Sequence, residues 1–245
     1  LVSLNTKRVA STKASLKKTD MAQQLAFDWP TRVALDPDDF FVSDANAAAY
    51  RMTTDWQNWP DGKLAVIGPH GSGKSHLARV FQHLSGAQII DAADLGGAAL
   101  APPDAPCVVI EDVETLPQSG EEWLFHAHNH LRATGGRLLL TGATAPTRWS
   151  VTLPDLASRM QGTSVIRIDD PDDRLLGAVL MKLFQDRQLS PDPRAFDYLL
   201  RNMTRSFQAA ADVVTELDRV ALAQQRAIKV PLAKAVLDKL AQSAR

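Results

Sequence analysis

Lys74 and Ser75 close the octapeptide Gly68-Pro69-His70-Gly71-Ser72-Gly73-Lys74-Ser75, which fits the phosphate-loop pattern GxxxxGK[ST]. Its chemistry is polyphosphate binding. The glycines let the backbone curl so that successive N–H groups point at one anion, and a helix N-terminus adds partial positive charge. Lys74 then reaches the β- and γ-phosphates, and the Ser75 hydroxyl ligates Mg²⁺. His76, the next residue, belongs to the same binding segment. The flanks fit this reading: apolar Leu64–Ile67 reads as a strand entering the loop and Ser75–Leu84 as a helix leaving it. The plainer alternative is a Gly-rich turn with an exposed lysine.

Such a site needs an acid at the end of a second buried strand to hold Mg²⁺ or its water. Val108-Val109-Ile110 followed by Glu111-Asp112 supplies two carboxylates about forty residues on, although strands also end in solvated acids. Leu138-Leu139-Leu140 ends in Thr141, which either senses the γ-phosphate and orients water or simply terminates a strand. Arg159, within Leu156-Ala157-Ser158-Arg159-Met160, either projects into a neighbouring subunit's nucleotide site or lies on the surface in an ion pair. His126, His128 and His130 do not read as a metal site, because only the first and third share a helix face and no acid or cysteine accompanies them at ligand spacing.

A net charge of −1 gives no global electrostatic argument for nucleic-acid binding. The lone Cys107 excludes an internal disulfide and points to a reducing cytoplasm; no apolar run is long enough for a membrane span. Residues 1–20 are basic and Ser-rich without an apolar stretch. They resemble either an organellar leader or an upstream extension before Met21, the reading favoured here, and disorder is expected for them. Just after Met21, Gln24-Leu25-Ala26-Phe27 places apolar side chains on a segment with no fold of its own, suited to a partner's hydrophobic pocket or to folding back on the core.

Asp44 reads as the N-cap of an Ala-rich helix that continues toward Trp59. Strand patterns lie at Leu64–Ile67, Gln88–Ile90, Cys107–Ile110, Arg137–Thr141 and Val165–Ile168, with helical patterns at Ser75–Leu84, Glu121–Thr134 and Leu153–Met160 between them. Strands that are almost wholly apolar and alternate with helices predict a parallel sheet covered on both faces. After Pro171 only amphipathic helices follow, at Asp172–Arg187, Asp192–Asn202, Ser206–Gln225 and Pro231–Ala241. The expected organisation is a leader at 1–21, a partner-binding segment at 22–33, an α/β core at 34–169 and a helical lid at 170–245.

Several stretches together resemble the AAA+ core of the DnaA-type initiators, and more closely the shorter Hda family of DnaA regulators: Phe40–Tyr50, GPHGSGKSHL at 68–77, VVIEDVETL at 108–116, the Glu121–Asn129 helix, LLLTGATAP at 138–146, LASRM at 156–160 and ELDRVAL at 216–222. The resemblance spans about residues 22–241. It implies an AAA+ phosphate-loop fold with a small all-helical lid, and ATP or ADP with Mg²⁺ as cofactor. Phe40–Asn46, with Val42 and Asn46 among them, would line the adenine pocket. Gln24, Leu25 and Phe27 would dock on the sliding clamp, and Arg159 would be an arginine finger acting on the initiator. Contact with DNA would be indirect, through the clamp, and a homo-oligomer is possible. Three departures matter: Glu111 stands where the family has Asp, Ala143 where relatives carry Asp, and Gln208 at the place of a sensor arginine, with Arg205 one turn earlier. They imply weak intrinsic ATPase activity. The competing expectations are an initiator or loader acting on origin DNA, and a small-molecule kinase.

Overall fold

The computed structural model describes residues 40–96 and 103–243. The segment proposed to bind the clamp, with Gln24, Leu25 and Phe27, lies outside them. The core is a five-stranded sheet built from β1 (Lys63–Ile67), β2 (Gln88–Asp91), β3 (Cys107–Glu111), β4 (Arg137–Gly142) and β5 (Ser164–Arg167), in the order β2-β3-β4-β1-β5. Every pairing is parallel, and β1 lies between β4 and β5. The apolar runs form central strands because both faces are covered, whereas the edge strand β5 alternates and leaves Val165 exposed.

Two helical layers close the sheet. Against one face pack α1 (Ala47–Thr54) and α2 (Lys74–Ser85), whose Ala49, Leu77, Ala78 and Phe81 meet Leu64, Val66, Val109 and Leu139. On the other, α3 (Glu121–Thr134) and α4 (Pro154–Gln161) bring Leu124, Leu131, Leu156 and Met160 against Ala65, Val108, Ile110, Leu138 and Leu140. The two-residue period of a strand thus decides which side each residue serves.

Four helices follow: α5 (Asp173–Asp186), α6 (Pro193–Asn202), α7 (Phe207–Gln224) and α8 (Val230–Ser243). They bury a separate cluster that includes Leu176, Leu180, Phe184, Leu199, Val214 and Leu217. Side chains cap three of their N-termini: Asp172 accepts from Leu175 N–H, Asp192 from Arg194 N–H and Ser206 from Ala209 N–H.

The first helix corrects the sequence reading. Asp44 caps nothing; Asn46 occupies the N-cap position, and its amide instead ties the approach, accepting from Ser43 N–H at 2.8 Å and donating to Phe41 C=O at 2.9 Å. The helical pattern also breaks after Thr54 into 3₁₀ turns at Trp56–Asn58 and Pro60–Gly62, because the Trp59 indole must reach back to Met52 C=O and pack on Phe81.

Candidate functional site

The phosphate loop joins β1 to α2 at the C-terminal end of the strands. Gly68 N–H donates to Gly142 C=O at 3.1 Å, so the sheet ladder holds the first loop residue. Gly71 and Gly73 take positive φ (77° and 95°), which turns the backbone into a concave nest that most other residues resist. A side chain at Gly68 would lie 2.9 Å from Ser72 Oγ and 3.0 Å from Ile168 C=O, so the cradle tolerates no Cβ there.

Lys74 is buried, and its Nζ donates to Gly68 and Pro69 C=O at 3.0 Å each. Burial lowers its pKa, and the carboxylates of Asp112, Glu114 and Glu111 oppose that shift. Ser72 Oγ and Glu111 Oε1 are buried with no hydrogen-bond partner among the described residues. Backbone amides, a lysine held on weak carbonyl partners and two unsatisfied oxygens fit a phosphate and its cation. Ser75 and His70 are exposed and His76 is half-buried, with its ring edge-on to Phe40 at 5.1 Å.

Strand alternation sends Glu111 and Thr141 to the α2 side, toward the loop. Thr141 is 1% exposed, and its hydroxyl accepts from Asp112 N–H at 3.0 Å, which fixes the left-handed turn after β3. Asp112 itself is exposed. Two glutamates escaped the sequence reading. Glu114 accepts from Thr144 N–H and hydroxyl at 2.7 and 3.0 Å; the buried Glu121 accepts from Thr152 N–H and hydroxyl and from Leu153 N–H, at 2.6–3.1 Å. Each spans about thirty residues, so no local pattern announces it.

The lid approaches from above. A Cβ on Gly71 would sit 3.4 Å from Phe207 Cβ, at the start of α7, and the Arg174 guanidinium of α5 lies 6.0 Å over the Phe41 ring. Val42 is exposed in the same approach segment, whereas Asn46 is buried with its amide engaged. Gln208 faces solvent and donates to Asp212 at 2.8 Å; Arg205 pairs with Asp173 at 2.7 Å.

Arg159 is not part of this cluster. It lies in the last turn of α4, where its backbone C=O accepts from Lys63 Nζ at 2.7 Å and from Thr163 Oγ1 at 3.2 Å. Lys63 opens β1 and Ile67 ends it beside the loop, about 13 Å away for a strand rising ~3.3 Å per residue. The half-buried guanidinium rests on the Phe125 ring of α3 with Cζ 5.1 Å from the centroid. Asp112, Thr141, Glu111 and the loop converge at one end of the sheet; Arg159 is held near the other.

Comparison with known proteins places this architecture. Residues 173–237 match the family model described as the Hda lid domain. An uncharacterized Haemophilus influenzae protein is 27% identical over 190 residues, covering 71% of this chain and 80% of the relative. Domain III of the Thermotoga maritima replication initiation protein DnaA superposes with TM-score 0.66 at 16% identity, over 86% of this chain and 98% of that domain. AMPPCP-bound DnaA from Aquifex aeolicus superposes with TM-score 0.59 at 16% identity, over 78% and 67% of the two chains. Among the described residues no helix is long and apolar enough to cross a membrane, and no three His, Cys, Asp or Glu side chains gather in a metal-binding arrangement.

Proposed function

We propose that the chain is an Hda-like, DnaA-related AAA+ protein and that it acts as a cytoplasmic nucleotide-binding adaptor that restrains replication initiation. Docked on the sliding clamp through Gln24, Leu25 and Phe27, it presents Arg159 to the ATP held by the initiator and promotes its hydrolysis. DNA is met through the clamp.

One observation carries this reading: the phosphate loop and Arg159 sit at opposite ends of β1, and the guanidinium is supported on Phe125 and partly open. A cation so placed serves a nucleotide other than the chain's own. In the chain's own site the loop amides, Lys74 and Ser75 would hold ATP or ADP, and Ser75 with Glu111 would meet Mg²⁺. Gln208 supplies no cation to the phosphates and is engaged by Asp212, so the chain's own turnover is weak.

The test is initiator ATP hydrolysis reconstituted with clamp and DNA. Adding the protein accelerates hydrolysis; Arg159→Ala removes the acceleration, on the order of 10³-fold for a finger, while clamp capture persists. Changing Gln24 and Leu25 to Ala removes clamp capture first. Absence of acceleration by the unaltered protein refutes the reading, and tight salt-sensitive DNA binding without clamp would favour an initiator-like role instead.

A further inference from the structure

Among the described residues the lid leaves an apolar groove open where α7 begins. It runs between the turn joining α6 to α7, the first turns of α7 and the end of α8, and encloses about 410 Å³. Met203, Ala209, Val213, Leu237 and Leu240 supply its apolar surface. On α8 the apolar stripe starts with Ala233 and Val236, which are buried, and ends with Leu237 and Leu240, which are only half-buried. The stripe therefore outruns the helices that cover its beginning. The polar residues on the rim are already engaged: Asn202 donates to Tyr198 C=O, Ser243 to Lys239 C=O, and Asp212 accepts from Gln208. Asp212 is the charged residue of the described lining, so no unengaged charge is left to orient a polar ligand. What fits is a set of apolar side chains.

The chain carries such a set within reach. The Phe40 ring stands 3.4 Å from where a Gly73 Cβ would lie, and a Gly71 Cβ would lie 3.4 Å from Phe207 Cβ. From Phe207, α7 carries Val213 roughly 9 Å further, at ~1.5 Å per residue. Through these contacts the groove lies within about 30 Å of Phe40. Phe27 precedes Phe40 by 13 positions, a length that extends to about 43 Å. Gln24-Leu25-Ala26-Phe27 and nearby Trp29 therefore bring large apolar side chains to this face without strain on the connection. A tethered segment competes at an effective concentration on the order of millimolar, so a groove too weak to hold a free partner still holds its own chain.

We propose that the groove between α7 and α8 seats the chain's own Leu25–Phe27 segment, so that the lid and an external partner compete for the same apolar side chains. A partner gains the segment only by displacing it from the lid. The proposal goes beyond the adaptor reading and rests on it only for the identity of the displacing partner, the clamp; occupancy of the groove can be measured without it.

The experiment uses the full chain and, as probe, a fluorescently labelled peptide of residues 21–31, followed by anisotropy. A chain with Leu25→Ala and Phe27→Ala, its own segment disabled, is expected to bind the peptide, and the unaltered chain to bind it at least about tenfold more weakly because the groove is already filled. In the disabled chain Leu240→Gln weakens peptide binding about tenfold, as for loss of a central apolar contact. Ala241→Arg, on the exposed lip of the groove, does the same and keeps the test decisive should Leu240→Gln unfold. A second readout joins Ala26→Cys to Ala241→Cys with a short bifunctional maleimide, Cys107 being buried; the bridge is expected within one chain. Equal peptide binding by the unaltered and disabled chains, binding unmoved by Ala241→Arg, or bridges formed only between two chains overturns the proposal. In clamp capture, Ala241→Arg frees the segment and strengthens binding up to about tenfold. Groove occupancy as expected with no capture by the clamp leaves the proposal standing and removes the adaptor reading.

Discussion

At the scale of single residues the molecule sorts its cations by whether they have somewhere to go. Lys74 rests on loop carbonyls that a bound phosphate would replace, and Arg159 rests on a ring that supports it without neutralising it. His128 permits a sharp prediction. Its pKa in the folded chain lies below the ordinary imidazole value, so folding favours the neutral ring, and its contribution is complete above about pH 6.5. As pH falls through 6.5 the unfolded chain takes up the proton first, and stability declines until the lower folded value is passed. Thermal melts from pH 7.5 to 5 will therefore show a loss that shrinks in His128→Gln; equal slopes in the two proteins would contradict this. Gly73 gives a second: at φ 95°, with Phe40 Cε2 3.4 Å from where a Cβ would stand, Gly73→Ala strains the nest and will reduce binding of a fluorescent ATP analogue while the fold persists.

At the scale of elements, strands and lid helices were legible because their periods differ and their apolar faces are long. The loop was legible because its geometry restricts the residue types allowed. What the sequence hid are the ties between elements. Lys63 and Arg159 stand ninety-six positions apart, and nothing local to either predicts their bond. Glu121 is the clearest example: at the start of α3 it looks like a dipole-favoured surface acid, yet it is buried and receives the N–H groups that precede α4. Asp44 failed as a cap for a related reason, since the tertiary approach of residues 41–46 recruited Asn46 instead. Glu121→Ala strands those donors and will cost about 1–3 kcal/mol per buried group in denaturant unfolding. Because α4 carries Arg159, the adaptor reading predicts that the same change also reduces stimulation of the initiator.

For the whole molecule, two hydrophobic clusters sandwich the sheet and a third holds the lid together independently. Leu217→Ala, in the lid cluster and fully enclosed, will lower stability by about 2–5 kcal/mol, measurable as a shifted melt, while the sheet's own packing is untouched. The lid stays linked to the core at its root: Asp169 N–H donates to Ala45 C=O at 3.2 Å, beside the turn that Asn46 ties. Strand β1 carries the phosphate loop at one tip and, through Lys63, Arg159 at the other. Any contact that delivers this arginine to a second nucleotide is directional, joining unlike faces. A row built by repeating it has a distinct front and back, and a chain added at one terminus acts on a single neighbour instead of being shared by two.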